Sequence, residues 1–227
     1  ASAADGDALY GAFYEFKNSR VYDALRAAKK RGVRIEVLYD GKDQGDANEA
    51  ALEGSGIKSL TKPRARSGRY AHNKFLVLRR GEASDAVWTG STNLSENGIF
   101  GHSNNAHIVR DAGVAEQYYA YWKILRRDET KAPTATAVEL GNPAPPDPWD
   151  AETSVVFSPR KSLDAIDWYA EVAGKAERAL FMTFAFGMNK RFTEVYDQQD
   201  EVLRFALMEK KGTGGAAKEQ AKEIDRI

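Results

Sequence analysis

The chain has 227 residues, 42% of them hydrophobic and 11% aromatic, enough for the core of one large domain or of one and a half smaller ones. Thirty-three basic side chains balance thirty-three acidic ones, so no global field recruits nucleic acid or membrane, and any anion-binding surface must be a local patch. The absence of cysteine excludes disulfides, thiolate metal sites and a cysteine nucleophile, and leaves the compartment open.

In chain order, the apolar run at 8–16 predicts a strand, and Asn18 is placed to cap the helix that follows. Residues 19–32 carry Val21, Tyr22, Leu25 and Ala28 at helical spacing, stopped by Gly32. Residues 33–40 alternate like a strand, which makes the opening a βαβ unit with parallel strands. A turn at 41–45 and a short helix around Ala47 to Leu52 lead to the basic stretch 62–70. Residues 72–78 and 86–91 predict paired strands around a charged turn, 105–111 a third strand, and 112–127 a helix with one aromatic face. No apolar run reaches membrane-span length. The N-terminal stretch has neither a basic n-region nor a signal-peptide core, so a soluble chain is expected.

Five of the seven prolines fall between 131 and 148, which predicts a connector poor in regular structure over 130–152. Beyond it, 158–176 predicts a helix. The stretch 179–192 then aligns with 8–21, and 202–212 echoes 33–43, at an offset of about 171 residues. The expected organisation is one complete unit at 1–129, the connector, and an incomplete second copy at 153–227. On that offset the counterpart of His72 would fall beyond Ile227.

The chemistry-bearing pattern is His72-x-Lys74 followed by Gly90-Ser91-x-Asn93. With the βαβ opening, the "GSTNLSENG" loop and the internal duplication, it resembles the His-x-Lys and Gly-Ser-x-Asn motif of the phospholipase D superfamily. The "VWTGSTN" and "IFGHSN" segments are similar to those of a bacterial phospholipase-D-like subgroup. The resemblance implies an α/β fold with a mixed central sheet flanked by helices. It also implies phosphodiester hydrolysis or transfer, with phospholipid or nucleic acid as substrate, no metal and no cofactor. Two such motifs usually face each other, so it further implies a second motif from a missing C-terminal half or from a homodimer.

The residues agree with that chemistry. Side chains two apart on a strand share a face, so His72 and Lys74 converge while Asn73 turns away. Ser91 and Asn93 fall on one side if the strand continues past Gly90. A neutral imidazole can attack phosphorus to form a phosphohistidine, and Lys74 and Asn93 can donate to the non-bridging oxygens. The expected catalytic set is therefore His72, Lys74, Ser91 and Asn93. His72 is either the nucleophile or the acid that protonates the leaving oxygen.

Two departures from the superfamily pattern stand out. Arg79 occupies the position where an acid usually stands, with Asp85 as the nearest substitute, and His107 replaces another acid. Of the basic run Lys62, Arg64, Arg66 and Arg69, the last two are the substrate-binding candidates. The run reads either as a phosphate-steering rim or as a solvated loop. His102 and His107 read as structural rather than as a metal pair, and Trp88, Trp122, Tyr118, Tyr119 and Tyr121 as core. A non-catalytic phosphate-binding or scaffold module is the rival from another class.

Overall fold

The computed structural model describes residues 3–66, 68, 70–143, 153–184 and 187–208. They fall into two compact units, the first built from residues up to 143 together with 153–161, and the second from residue 162 onward.

The first unit opens with β1 (Asp7–Phe13), α1 (Ser19–Lys30) and β2 (Arg34–Asp40). Asn18 caps α1 by accepting from the Val21 N–H at 3.2 Å, and the helix buries Tyr22, Leu25 and Ala28. It ends at Gly32, whose φ of +86° suits glycine and where a Cβ would stand 2.4 Å from Asp5 Oδ1. Helix α2 (Gly45–Leu52) precedes β3 (Thr61–Arg64). Strands β4 (Lys74–Arg80), β5 (Ala83–Gly90) and β6 (Ala106–Val109) follow, then α3 (Ala112–Arg126).

The sheet order is β3-β2-β1-β4-β5-β6. β1 to β3 run parallel, while β4 pairs antiparallel with both β1 and β5, and β5 with β6. This is the mixed sheet flanked by helices that the sequence predicts. Each face has its own core. Tyr10, Leu38, Phe75 and Val77 lie with Trp122 and Leu125 of α3, whereas Phe13, Phe16, Val37 and Tyr39 lie with Leu25 of α1 and Leu52 of α2. Trp122 donates its indole N–H to Gly11 O at 3.0 Å, which locks α3 onto β1.

The connector expected at 130–152 needs correction. Residues Lys131–Gly141 form a helix, α4, burying Thr134, Ala135 and Val138. Pro133 lies in its first turn, where a missing N–H leaves no helical bond unmade. Asn142 then recaptures the chain. Its amide donates to Val155 O (2.9 Å), its Oδ1 accepts from Phe157 N (2.9 Å), and Phe157 stacks on Tyr121 at 4.3 Å. Residues 153–161 thus complete the first unit, whereas the organisation expected from the sequence counts them with the second, at 153–227. Strand β3 is also absent from the sequence reading. It is four residues long and contains Pro63, so it carries no readable alternation.

The second unit contains α5 (Asp164–Gly174), β7 (Ala179–Phe184), α6 (Lys190–Tyr196) and β8 (Leu203–Met208). β7 and β8 pair in parallel with Ala179 opposite Leu203, repeating the β1 to β2 pairing of Ala8 with Arg34. Asn189 caps α6 through its side chain, as Asn18 caps α1. The second unit therefore repeats the βαβ opening of the first.

Candidate active site

His72 stands at the entry to β4, one residue after Ala71, whose N–H is held by the Asp40 carboxylate. Asp40 is completely buried at the C-terminal end of β2, and its other oxygen accepts from Lys42 N (3.1 Å) and Gln44 N (2.8 Å). The imidazole keeps an exposed side and meets the Tyr14 ring edge-on at 4.4 Å. Desolvation of its packed side, then the Lys74 charge, pull its pKa below the usual histidine value, against opposing pulls from Asp40, Glu15 and Asp43.

Lys74 is the first residue of β4 and is buried. Its ammonium donates to His72 O at 3.2 Å and lies 5.2 Å from the Tyr14 ring centre. Burial brings its pKa down to about 8, opposed by the negative charge of Glu15. Tyr14 bonds through its hydroxyl to Asp43, and burial and that bond raise its pKa to about 12, so it stays a neutral wall.

Asn73, between the two, faces the other way, as strand alternation requires. Its Oδ1 accepts from Arg64 at 2.8 Å, its amide donates to the Tyr121 hydroxyl at 2.9 Å, and Tyr121 donates to Ser158 O at 2.6 Å. A cavity of about 520 Å³ opens at these strand ends. Its walls include His72, Lys74, Arg64, Tyr121, Lys131 and Phe157, so the returning segment 153–161 contributes directly.

Ser91 and Asn93 do not border this cavity. Ser91 is exposed, and its Oγ accepts from Asn105 N at 3.0 Å, which closes the loop between β5 and β6. Asn93 is held at the same end of the sheet as Glu15, because Leu94 donates its N–H to Glu15 O (3.1 Å) and accepts from Lys17 N (2.8 Å). The Asn93 Oδ1 is buried with no partner among the described residues. Gly98 permits this arrangement, since a Cβ there would stand 2.4 Å from Asn93 O. Arg66 is exposed and touches Asp128 only through its backbone N–H (3.1 Å), while Arg69 lies outside the described residues.

Arg79, which stands where the superfamily pattern usually has an acid, lies far from His72. Position 79 pairs with Ala8 at the far end of β4, whereas Lys74 pairs with Phe13; the separation from His72 is roughly 20 Å. Arg79 is buried against Tyr119 (4.0 Å) and ion-paired with Glu116 (2.9 Å), so it neither supports nor weakens the imidazole. Asp85 pairs with Arg80 at that same remote end. The acids whose charge reaches His72 are Asp40, Glu15 and Asp43, none of which the sequence reading singled out.

Sequence reasoning also missed Asn48. Fully buried on α2, it accepts from Phe16 N (2.9 Å) and donates to Tyr14 O (2.8 Å) and Asp40 O (3.0 Å), tying the segments that carry Tyr14 and Asp40. An asparagine interrupting the apolar side of a short helix is the only signal that could have found it. His102 and His107 are exposed. Among the described residues, no three His, Asp or Glu side chains stand close enough to hold a metal ion. No described helix is long and apolar enough to cross a membrane.

Comparison with known proteins agrees with the motif. Among solved structures, the phospholipase D family member Nuc from Salmonella typhimurium is similar over 56% of this chain and 81% of its own, with 27% identity and a TM-score of 0.45. NucT from Helicobacter pylori is similar over 56% and 82%, with 20% identity and a TM-score of 0.46. No curated protein matches the chain. Residues 2–125, spanning the whole sheet and most of α3, match the family model described as "Cardiolipin synthase, PLD-like domain". With the His-x-Lys pair placed at the strand ends of that matched region, the chain belongs to the phospholipase-D-like family of phosphodiesterases.

Proposed function

We propose that the protein cleaves or transfers a phosphodiester, of phospholipid type, through a phosphohistidine at His72. The observation that carries this reading is the pairing of a histidine held toward its neutral form with a buried ammonium two residues on. Neutral imidazole offers a lone pair to phosphorus. The new N–P bond forms as the P–O bond to the leaving alcohol breaks, and water later releases the phosphoryl group and restores the imidazole. Lys74, charged below about pH 8, neutralises the non-bridging oxygens, and the Asn93 amide is the second donor at that end of the sheet. No step calls on a metal or a cofactor.

The leaving oxygen needs a proton. The other histidines, His102 and His107, belong to no His-x-Lys pair, so the acid is assigned to a second His-x-Lys motif, supplied by a further part of the protein or by a second copy of the chain. Charge balance weighs against nonspecific nucleic-acid binding, which draws its affinity from basic surface.

The test is hydrolysis of a chromogenic phosphodiester in excess chelator, with and without His72→Asn. Turnover is expected to survive the chelator and to fall at least about a thousandfold in the variant. Acid-labile phosphate on the unmodified chain after quenching is expected as well. Binding of the ester without turnover, equal in both proteins, would instead mark a phosphate-holding module. Phospholipid vesicles and single-stranded DNA as alternative substrates separate the lipid reading from a nuclease one.

A further inference from the structure

Arg64 occupies the C-terminal end of β3 and is only 4% exposed. One terminal nitrogen donates to Asn73 Oδ1, and Nε is buried with no partner among the described residues. The acids whose charges reach it, Asp128 and Asp40, direct their oxygens to backbone N–H groups instead. Asp128 accepts from Ala65 and Arg66, and Asp40 from Lys42, Gln44 and Ala71. Burial accordingly draws the pKa of the guanidinium down. A buried cation without a bonded carboxylate is costly, and the catalytic pair does not need it.

This guanidinium lines the same cavity as His72 and Lys74, and so does Lys131 at the start of α4, which has no ion-pair partner among the described residues. Among the described residues, no acidic side chain lines that cavity. At about 520 Å³ it is far roomier than one phosphate requires. Because Asn73 lies between His72 and Lys74, its bond to Arg64 keeps the two cationic centres on one strand end, on opposite faces of the chain.

We propose that Arg64 and Lys131 bind a second phosphate of the substrate while the scissile phosphate lies at His72 and Lys74, so that the preferred substrate is a phosphodiester carrying a further phosphate nearby. This rests on the reading above for the position of the first phosphate. The forked guanidinium supplies two donors to one anion, and the Lys131 ammonium closes over it from the exposed side. Tyr121 and Phe157 supply aromatic surface to the same cavity.

Calorimetric titration of the full chain tests this with compounds that are not phosphodiesters, so that binding is measured apart from turnover. The probes are thymidine 3′,5′-bisphosphate against thymidine 5′-phosphate, and glycerol 1,3-bisphosphate against glycerol 1-phosphate. At least one bisphosphate is expected to bind about tenfold more tightly than its monophosphate. That advantage should shrink about threefold or more in Lys131→Ala and vanish in Arg64→Gln, with melting curves confirming that the variants fold. Lys131, being exposed, decides the matter if Arg64→Gln does not fold. Equal affinity within both pairs, or an advantage untouched in the folded variants, overturns the proposal. Absence of phosphodiester turnover with these affinities intact would count against the catalytic reading alone.

Discussion

At the scale of single residues, the site depends on two basic groups held away from their ordinary protonation. The pKa of His72 is lowered, so neutral imidazole persists below the usual histidine value near pH 6.5. Lys74 loses its proton around pH 8 rather than above 10. A nucleophilic imidazole and a charged lysine coexist between those limits, which predicts a bell-shaped rate profile with its basic limb near pH 8. Glu15 raises both values, and its removal lowers both. Glu15→Gln should therefore shift the basic limb of kcat/KM to lower pH while the acid limb extends further into acid. A basic limb that stays put would show that a group other than Lys74 controls it. The His72-x-Lys74 and Gly90-Ser91-x-Asn93 pattern is readable in the sequence because short-range spacing encodes it. Glu15, Asp40 and Asp43 are not, since their effect on the imidazole is produced by three separate segments meeting at one end of the sheet.

At the scale of elements, the strands deliver the motif and the short helix α2 holds their ends in place. Asn48 bridges Phe16, Tyr14 and Asp40 from inside the protein. Asn48→Ala strands one buried N–H and two carbonyls, and is expected to cost about 2–4 kcal/mol in denaturant unfolding. Because Tyr14 and Asp40 flank His72 and its preceding peptide, kcat should fall in parallel. Unchanged stability would mean that water replaces the amide. Most strands and the long helices follow from periodicity and capping, as Asn18 and Asn189 show on their two helices. Helix α4 escaped because proline density argues for a connector, whereas proline in a first turn is compatible with a helix. Its stability comes instead from burying Thr134, Ala135 and Val138.

At the scale of the whole molecule, one complete sheet carries one His-x-Lys pair, and a second βαβ unit repeats its opening. In the first unit, Tyr10 and Leu38 are covered by α3. The corresponding face of the second, with Phe181 stacked on Phe205 and Leu207 beside them, is exposed. If a second copy of the chain supplies the leaving-group acid, specific activity should fall on dilution as the pair dissociates. Mixing His72→Asn chains into the unmodified protein should lower it further than their share of the total. Specific activity constant across a thousandfold dilution, with sedimentation showing a monomer throughout, would rule out a partner copy.

The sequence by itself determined the α/β class, the repeat and the residues of the motif, because each is written in spacing that a strand or helix reads locally. Only the tertiary structure decided what surrounds the motif. It sent Arg79 to the remote end of β4, brought Phe157 and Ser158 back across the intervening residues to line the cavity, and set Arg64 behind Asn73. These contacts join positions far apart in the chain, and they depend on sheet order and register, which no local pattern specifies.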